Sequence, residues 1–286
     1  MPSARQRGQN PITLKKVYAF RNWTGWPVRV LVGLLAGSFL LFLGIPLAAL
    51  LLREPPALLW ATIQRPEVLQ ALQLSFVTTS VSTLLAVLFG LPVAYVLARM
   101  RFPGRAFLET LVTMPTVLPP VVAGVALLLT FGRVGLIGRY LSPLGISLPF
   151  TTVAVIMAQI FVSSPFFINS ARAGLEQLDQ RYEQAAYTLR ASPLYAFRRV
   201  VLPLIRPALL TGMGLSWARA LGELGATITF AGSFPGITQT MPIAVYLAAE
   251  SDLESAVALS VVLLAISFAI LLALRIGRRS DRGAGV

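Results

Sequence analysis

Two ionisable residues, Arg219 and Glu223, stand four apart in a stretch that is otherwise apolar, and Thr227 follows after four more. On a helix that spacing stacks the three side chains on one face, with guanidinium and carboxylate in reach of each other. An unpaired charge at the centre of a bilayer costs about 2.5 to 3.5 kcal/mol on insertion scales, so the two are expected to neutralise one another. The sequence leaves two readings open: a buried ion pair that orients its helix, or a gate element beside a pathway. Little other chemistry is available. The 286 residues contain no Cys and no His, which removes thiolate and imidazole catalysis, disulfides and the commonest metal ligands. Lys15 and Lys16 are the only lysines, so no phosphate-cradling loop closing on Gly-Lys is present. A membrane-embedded enzyme would need clustered carboxylates or a nucleophile with its base, and one ion pair is too little for most such chemistry.

The elements that must position these residues follow from composition. Hydrophobic residues make up 56% of the chain and charged residues 12%, a balance that suits lipid rather than water as the solvent. Crossing the hydrocarbon core as a helix takes about 20 apolar residues. Six runs meet or approach this: 30–52, 72–98, 111–131, 150–169, 202–230 and 256–274. The first follows a long basic stretch and is expected to be a retained span rather than a cleaved signal. Basic residues then set the orientation. Six lie in 1–29, three between the second and third runs, six from Arg172 to Arg206 around the connection from the fourth to the fifth, and four in the tail; the opposite loops hold four, beside Glu250, Asp252 and Glu254. Both termini are therefore expected on the cytoplasmic side.

Two of the runs carry breaks. Thr113, Pro115, Thr116, Pro119 and Pro120 crowd the third, and Ser163, Ser164 and Pro165 lie in the fourth. Prolines free backbone groups inside the membrane, and such breaks line pathways in some proteins and are packed kinks in others. Thr116, Pro119, Pro120, Ser163, Ser164, Arg219, Glu223 and Thr227 are accordingly the pathway or gate candidates. In the fifth run Gly214, Ala218, Gly222 and Ala226 recur every fourth residue, a smooth strip suited to close helix contact.

The segment 171–201 is too polar to cross a membrane. Leu175, Leu178, Tyr182, Ala185, Ala186 and Leu189 form one apolar stripe at helical spacing, with Glu176, Asp179, Arg181 and Glu183 on the other faces. Ser192 followed by Pro193 signals a second helix start. By pattern alone the stripe describes a helix lying on the membrane surface. The residues say more. The string Tyr182-Glu183-Gln184-Ala185-Ala186-Tyr187-Thr188-Leu189-Arg190-Ala191-Ser192-Pro193, followed by Arg198-Arg199-Val200-Val201-Leu202-Pro203, resembles the EAA loop of ABC importer permeases.

That resemblance implies an all-α integral membrane fold of the type I importer permease kind: six transmembrane helices and a cytoplasmic coupling helix that docks in a groove on a separate ATPase subunit. Glu183, Gln184, Ala185, Ala186, Leu189, Arg190, Ser192 and Pro193 would form the coupling loop. Its small alanines suit a helix seated in a groove. Two positions depart from the motif, since Gln184 stands at the usual glutamate and Arg190 at the usual glycine. A glycine there would take a left-handed turn, which costs a residue with a side chain about 1 kcal/mol, so the sharpness of the turn is in question.

The resemblance narrows in the fifth run. Ser216-Trp217-Ala218-Arg219-Ala220-Leu221-Gly222-Glu223-Leu224-Gly225-Ala226-Thr227 is similar to the signature of molybdate, tungstate and sulfate permeases, and Thr238-Gln239-Thr240-Met241-Pro242-Ile243-Ala244-Val245-Tyr246 to the molybdate branch. It implies a homodimer in a bacterial or archaeal inner membrane, importing a tetrahedral oxyanion supplied by an extracytoplasmic binding protein. No cofactor is expected on this chain, with ATP and Mg on the partner subunit. The expected organisation is a basic cytoplasmic segment at 1–29, a permease domain at 30–274 with the coupling loop at 171–201, and a basic tail at 275–286. A sulfate or thiosulfate permease is the alternative of the same architecture, and an ion-coupled carrier the alternative of another class.

Overall fold

The computed structural model describes residues 26–53 and 55–283, and every regular element among them is helical. Two units divide at residue 53 and are taken separately. The first contains α1 (Trp26–Arg53), an apolar helix with Pro46 inside it, long enough to cross a bilayer. The basic segment expected before it lies outside the described residues up to position 25.

The second unit runs α2 (Pro56–Ile63), α3 (Pro66–Arg99), α4 (Arg105–Val117), α5 (Pro120–Phe131), α6 (Gly138–Leu141), α7 (Thr152–Gln177), α8 (Arg181–Thr188), α9 (Pro193–Ala196), α10 (Leu202–Leu221), α11 (Gly225–Ala231), α12 (Met241–Ser251) and α13 (Leu253–Gly283). Prolines begin many of these, at the first turn of α2, α3, α5, α9 and α12, where the missing amide hydrogen costs nothing. Helix α7 is capped instead by the Thr151 hydroxyl, which accepts from the Ala154 amide at 3.2 Å.

The expected six runs are all helical, and two of them, the third and the fifth, are interrupted. The third is two helices, α4 and α5, bent by 117° at Leu118 and Pro119. Pro119 and Pro120 cannot donate backbone hydrogen bonds, and Leu118, preceding a proline, is pushed into extended backbone. The fifth run stops at Leu221 rather than Phe230, and on the other side it extends back without interruption to Pro193 through a π turn at Phe197–Val201. The sixth lies within α13.

Helix α7 packs between α3 and α10, and small residues allow the close approach. A Cβ on Gly174 would lie 2.4 Å from the Ala208 Cβ, and one on Gly212 would lie 2.9 Å from the Ser170 Cβ. Contact of α10 with α7 uses Ala208 and Gly212, and in the strip of Gly214, Ala218, Gly222 and Ala226 the last lies close to Gly124 of α5. Gly222 is exposed and Ala226 belongs to α11. One buried cluster joins Ala94, Leu97, Phe167, Ile168, Leu175 and Ile205; a second joins Ala123, Ala158, Val162 and Phe230. On α3 the buried face is polar as well as apolar: Ser75, Thr78, Thr79, Ser82 and Thr83 turn inward, where Gln159 of α7 bonds Ser82 at 3.3 Å and Thr79 at 3.4 Å. Hydroxyls satisfied by their own helix carbonyls can be buried at low cost, which is why this face tolerates them.

Candidate functional site

The segment after α7 is shaped by three local devices. Asp179 accepts the Arg181 amide at 2.9 Å and starts α8. At the other end, the Arg190 amide bonds the Tyr187 carbonyl at 3.0 Å and the Ala191 amide bonds the Ala186 carbonyl at 3.1 Å. That pair of bonds is the Schellman closure of a helix, and it requires a left-handed residue between them. Arg190 supplies it, at φ +60°, so the turn in question at the usual glycine is made sharply in spite of the side chain. Ser192 then accepts the Tyr195 amide at 3.3 Å and Pro193 opens the next helix, as expected from that dipeptide.

The apolar stripe read through this segment is divided. Leu175 belongs to α7 and is buried against α3 and α10, whereas Tyr182, Ala185 and Leu189 are exposed, Leu189 to 84%. Of the two alanines only Ala185 is open; Ala186 is buried against the chain itself. Gln184 and Pro193 are also exposed. Tyr182, Ala185, Leu189, Arg190 and Tyr195 line an open groove of about 820 Å³.

What holds α8 in place was not visible in the sequence. Glu183 turns inward, and its Oε1 lies 2.7 Å from Arg99 Nη2 at the end of α3, with both side chains only 10% exposed. The same Nη2 donates to the Leu178 carbonyl at 3.3 Å. One guanidinium thus ties both ends of the α7–α8 connection to a spanning helix. Beside it, Arg105 and Glu109 of α4 interlock with Arg172 and Glu176 of α7 in a ring of contacts between 2.8 and 3.4 Å. The spacing of four within each of those pairs was the only advance signal of this ring. For Arg99 and Glu183, 84 positions apart, there was none.

The membrane break brings together residues expected to lie near a pathway. Glu223 sits just past the end of α10, with Oε2 2.7 Å from Arg219 Nη1 and Oε1 accepting the Ala226 amide at 2.8 Å. The ion pair expected from the sequence is formed, but not on one continuous helix: Gly222–Leu224 interrupts it, and the carboxylate also ties down the first turn of α11. Glu223 is 1% exposed and Arg219 is 29% exposed. Helix α11 packs against α5, where a Cβ on Gly225 would lie 2.7 Å from the Pro120 Cβ and one on Gly124 would lie 2.6 Å from the Thr229 Cβ. The break at Pro119 and Pro120 and the break at Glu223 are therefore adjacent. Thr227 is buried on α11 with its hydroxyl unpaired among the described residues. Ser163 is likewise buried and unpaired on α7, while Ser164 and Pro115 line an apolar cavity of about 430 Å³ between α4, α5 and α7. Thr116 is exposed on α4 and bonds its own helix at the Thr113 carbonyl.

Several of these helices are long and apolar enough to cross a membrane, and residues 86–283 match the family of binding-protein-dependent transport system inner membrane components. The chain belongs to that family: it is a transport subunit and a multi-pass inner membrane protein. It is 46% identical to the molybdenum transport system permease protein ModB of Mycobacterium tuberculosis over 244 residues, which cover 85% of this chain and 92% of that one. It is 36% identical to the sulfate transport system permease protein CysT of Escherichia coli over 266 residues, covering 88% and 96% respectively. Among solved structures, a bacterial ABC transporter involved in import of the acidic polysaccharide alginate has the same fold, with TM-score 0.70 at 16% identity and coverage of 89% and 96%.

Proposed function

We propose that this chain forms, as a homodimer, the translocation pathway of an ATP-driven oxyanion importer that carries molybdate or tungstate. ATP and Mg bind a separate cytoplasmic ATPase subunit, and an extracytoplasmic binding protein delivers the anion. Both termini and α8 face the cytoplasm, following the bias of basic residues. The observation that carries the reading is α8 itself: a short helix with an open small-residue face, closed by a fixed turn and tethered through Arg99 to a spanning helix. Such a piece can receive a push from a partner and pass it to α3. The substrate class rests on the similarity to molybdenum permeases, and sulfate stands second on the lower identity to the sulfate permease.

The docking surface is tested at Ala185. Tryptophan there should leave insertion and dimerisation intact, because the position is exposed, yet lower ATPase binding and stimulated hydrolysis at least tenfold by filling the contact with side-chain bulk. Ala186 is the poorer site, since its substitution would disturb the chain's own packing. Normal coupling in Ala185→Trp would remove α8 from the docking surface.

A further inference from the structure

Arg190 is placed at some expense. A side chain in the left-handed region costs about 1 kcal/mol against glycine, and the closing bonds to Tyr187 and Ala186 hold it there. No contact among the described residues explains the arginine. It has no ion-pair partner among the described residues, although acidic residues are near in sequence. Each of these is engaged elsewhere: Glu176 by Arg105 and Arg172, Asp179 by Arg181, and Glu183 by Arg99. The side chain is exposed on the rim of the groove beside Leu189, Tyr182 and Tyr195, whose apolar surface is also open.

A partner that covers Leu189 and the two tyrosines must also take water away from Arg190. Burying an unpaired guanidinium is costly, and a carboxylate opposite it removes that cost while supplying a planar, two-oxygen acceptor. We propose that Arg190 forms a salt bridge across the docking surface to an aspartate or glutamate of the ATPase subunit, and so selects an ATPase that carries an acidic residue at that place. The inference rests on the docking role assigned to α8 above. It adds a chemical requirement on the partner which the small-residue surface alone does not impose.

The test is binding of the purified full-length permease to its cognate ATPase subunit in zwitterionic detergent without added lipid, measured at low and at high salt for wild type, Arg190→Gly, Arg190→Lys and Arg190→Glu. Arg190→Gly should raise Kd about tenfold at low salt, towards the low end of coupling across close interfacial charge pairs. It should also flatten the salt dependence, because the screened pair is gone. Its thermal unfolding midpoint should stay level or rise, since glycine relieves the turn. That opposition of signs separates a partner contact from a structural role. Arg190→Lys should keep part of the affinity, and Arg190→Glu should lose more than glycine does. If Arg190→Gly binds as tightly as wild type at both salt concentrations, the pairing is wrong. If the variants differ only after anionic lipid is added, the guanidinium serves a lipid headgroup and the pairing is equally wrong. Should Ala185→Trp block binding while Arg190→Gly does not, the docking surface stands and only the salt bridge falls; should wild type itself not bind, both fall.

Discussion

Arg99→Ala is expected to reduce transport-coupled ATP hydrolysis at least tenfold while the chain still inserts and dimerises. Removing the guanidinium leaves the Glu183 carboxylate uncompensated at a site only 10% exposed and takes a donor from the Leu178 carbonyl. Stranding one partner of a buried pair costs about 3 to 5 kcal/mol. An eight-residue helix has no comparable stability of its own, so α8 should release Glu183 to water and lose its fixed position. The ATPase would then push on a connection that no longer leads to α3. Glu183→Gln should do less harm, because Arg99 keeps the Leu178 carbonyl and a neutral acceptor. Combining Arg99→Ala with Glu183→Gln should restore part of the loss, since neither charge is then left alone. ATPase stimulation by the reconstituted single and double variants checks this, and an additive double variant would mean that the two side chains do not act as a pair.

The second large effect is expected at Glu223, which performs two tasks with two oxygens: Oε2 neutralises Arg219 and Oε1 holds the Ala226 amide. Glu223→Gln removes the charge but keeps an oxygen for the amide. Glu223→Ala removes both, and a hydrogen bond to a charged group is worth about 1.5 to 3 kcal/mol. The glutamine variant should therefore insert normally and transport about tenfold more slowly, as an uncompensated Arg219 holds the anion or disturbs the closed state. The alanine variant should in addition lower the thermal midpoint, by loosening the joint between α10 and α11. Arg219→Ala should be at least as damaging to transport as the glutamine variant. Oxyanion uptake normalised to inserted protein distinguishes these. If Glu223→Gln and Arg219→Ala both transport at the wild-type rate, the pair only orients its helices.

These two sites differ in how far the sequence disclosed them. Arg219 and Glu223 were legible because they are four apart in an apolar run, where any charge is conspicuous. The interruption at Gly222–Leu224 was not, since no proline marks it and its cause is tertiary: Gly225 fits against Pro120, and Glu223 ties the first turn of α11. The prolines at 119 and 120 announced a break but not its 117° angle. In the connecting segment, spacing indicated a helix with an apolar stripe, the resemblance to the EAA loop implied its small-residue docking face, and Ser192 with Pro193 marked the next start. Pattern could not divide the stripe between a buried Leu175 and an open Leu189, because helical periodicity is blind to where one helix stops and another begins at a new angle. Nor could it pair Arg99 with Glu183, for a contact across 84 positions leaves no local trace. The polar face of α3 was hidden among apolar neighbours for a similar reason. Its hydroxyls satisfy their own carbonyls and so leave the run readable as a span.

The proposal as a whole meets its most direct test in uptake by proteoliposomes containing the permease and its cognate ATPase, supplied with the binding protein outside and ATP inside. The account predicts that molybdate or tungstate accumulates only when ATP is present, that collapsing ion gradients leaves the rate unchanged, and that sulfate is carried poorly. Accumulation that survives removal of ATP but stops with the ion gradient would contradict it, and so would a clear preference for sulfate.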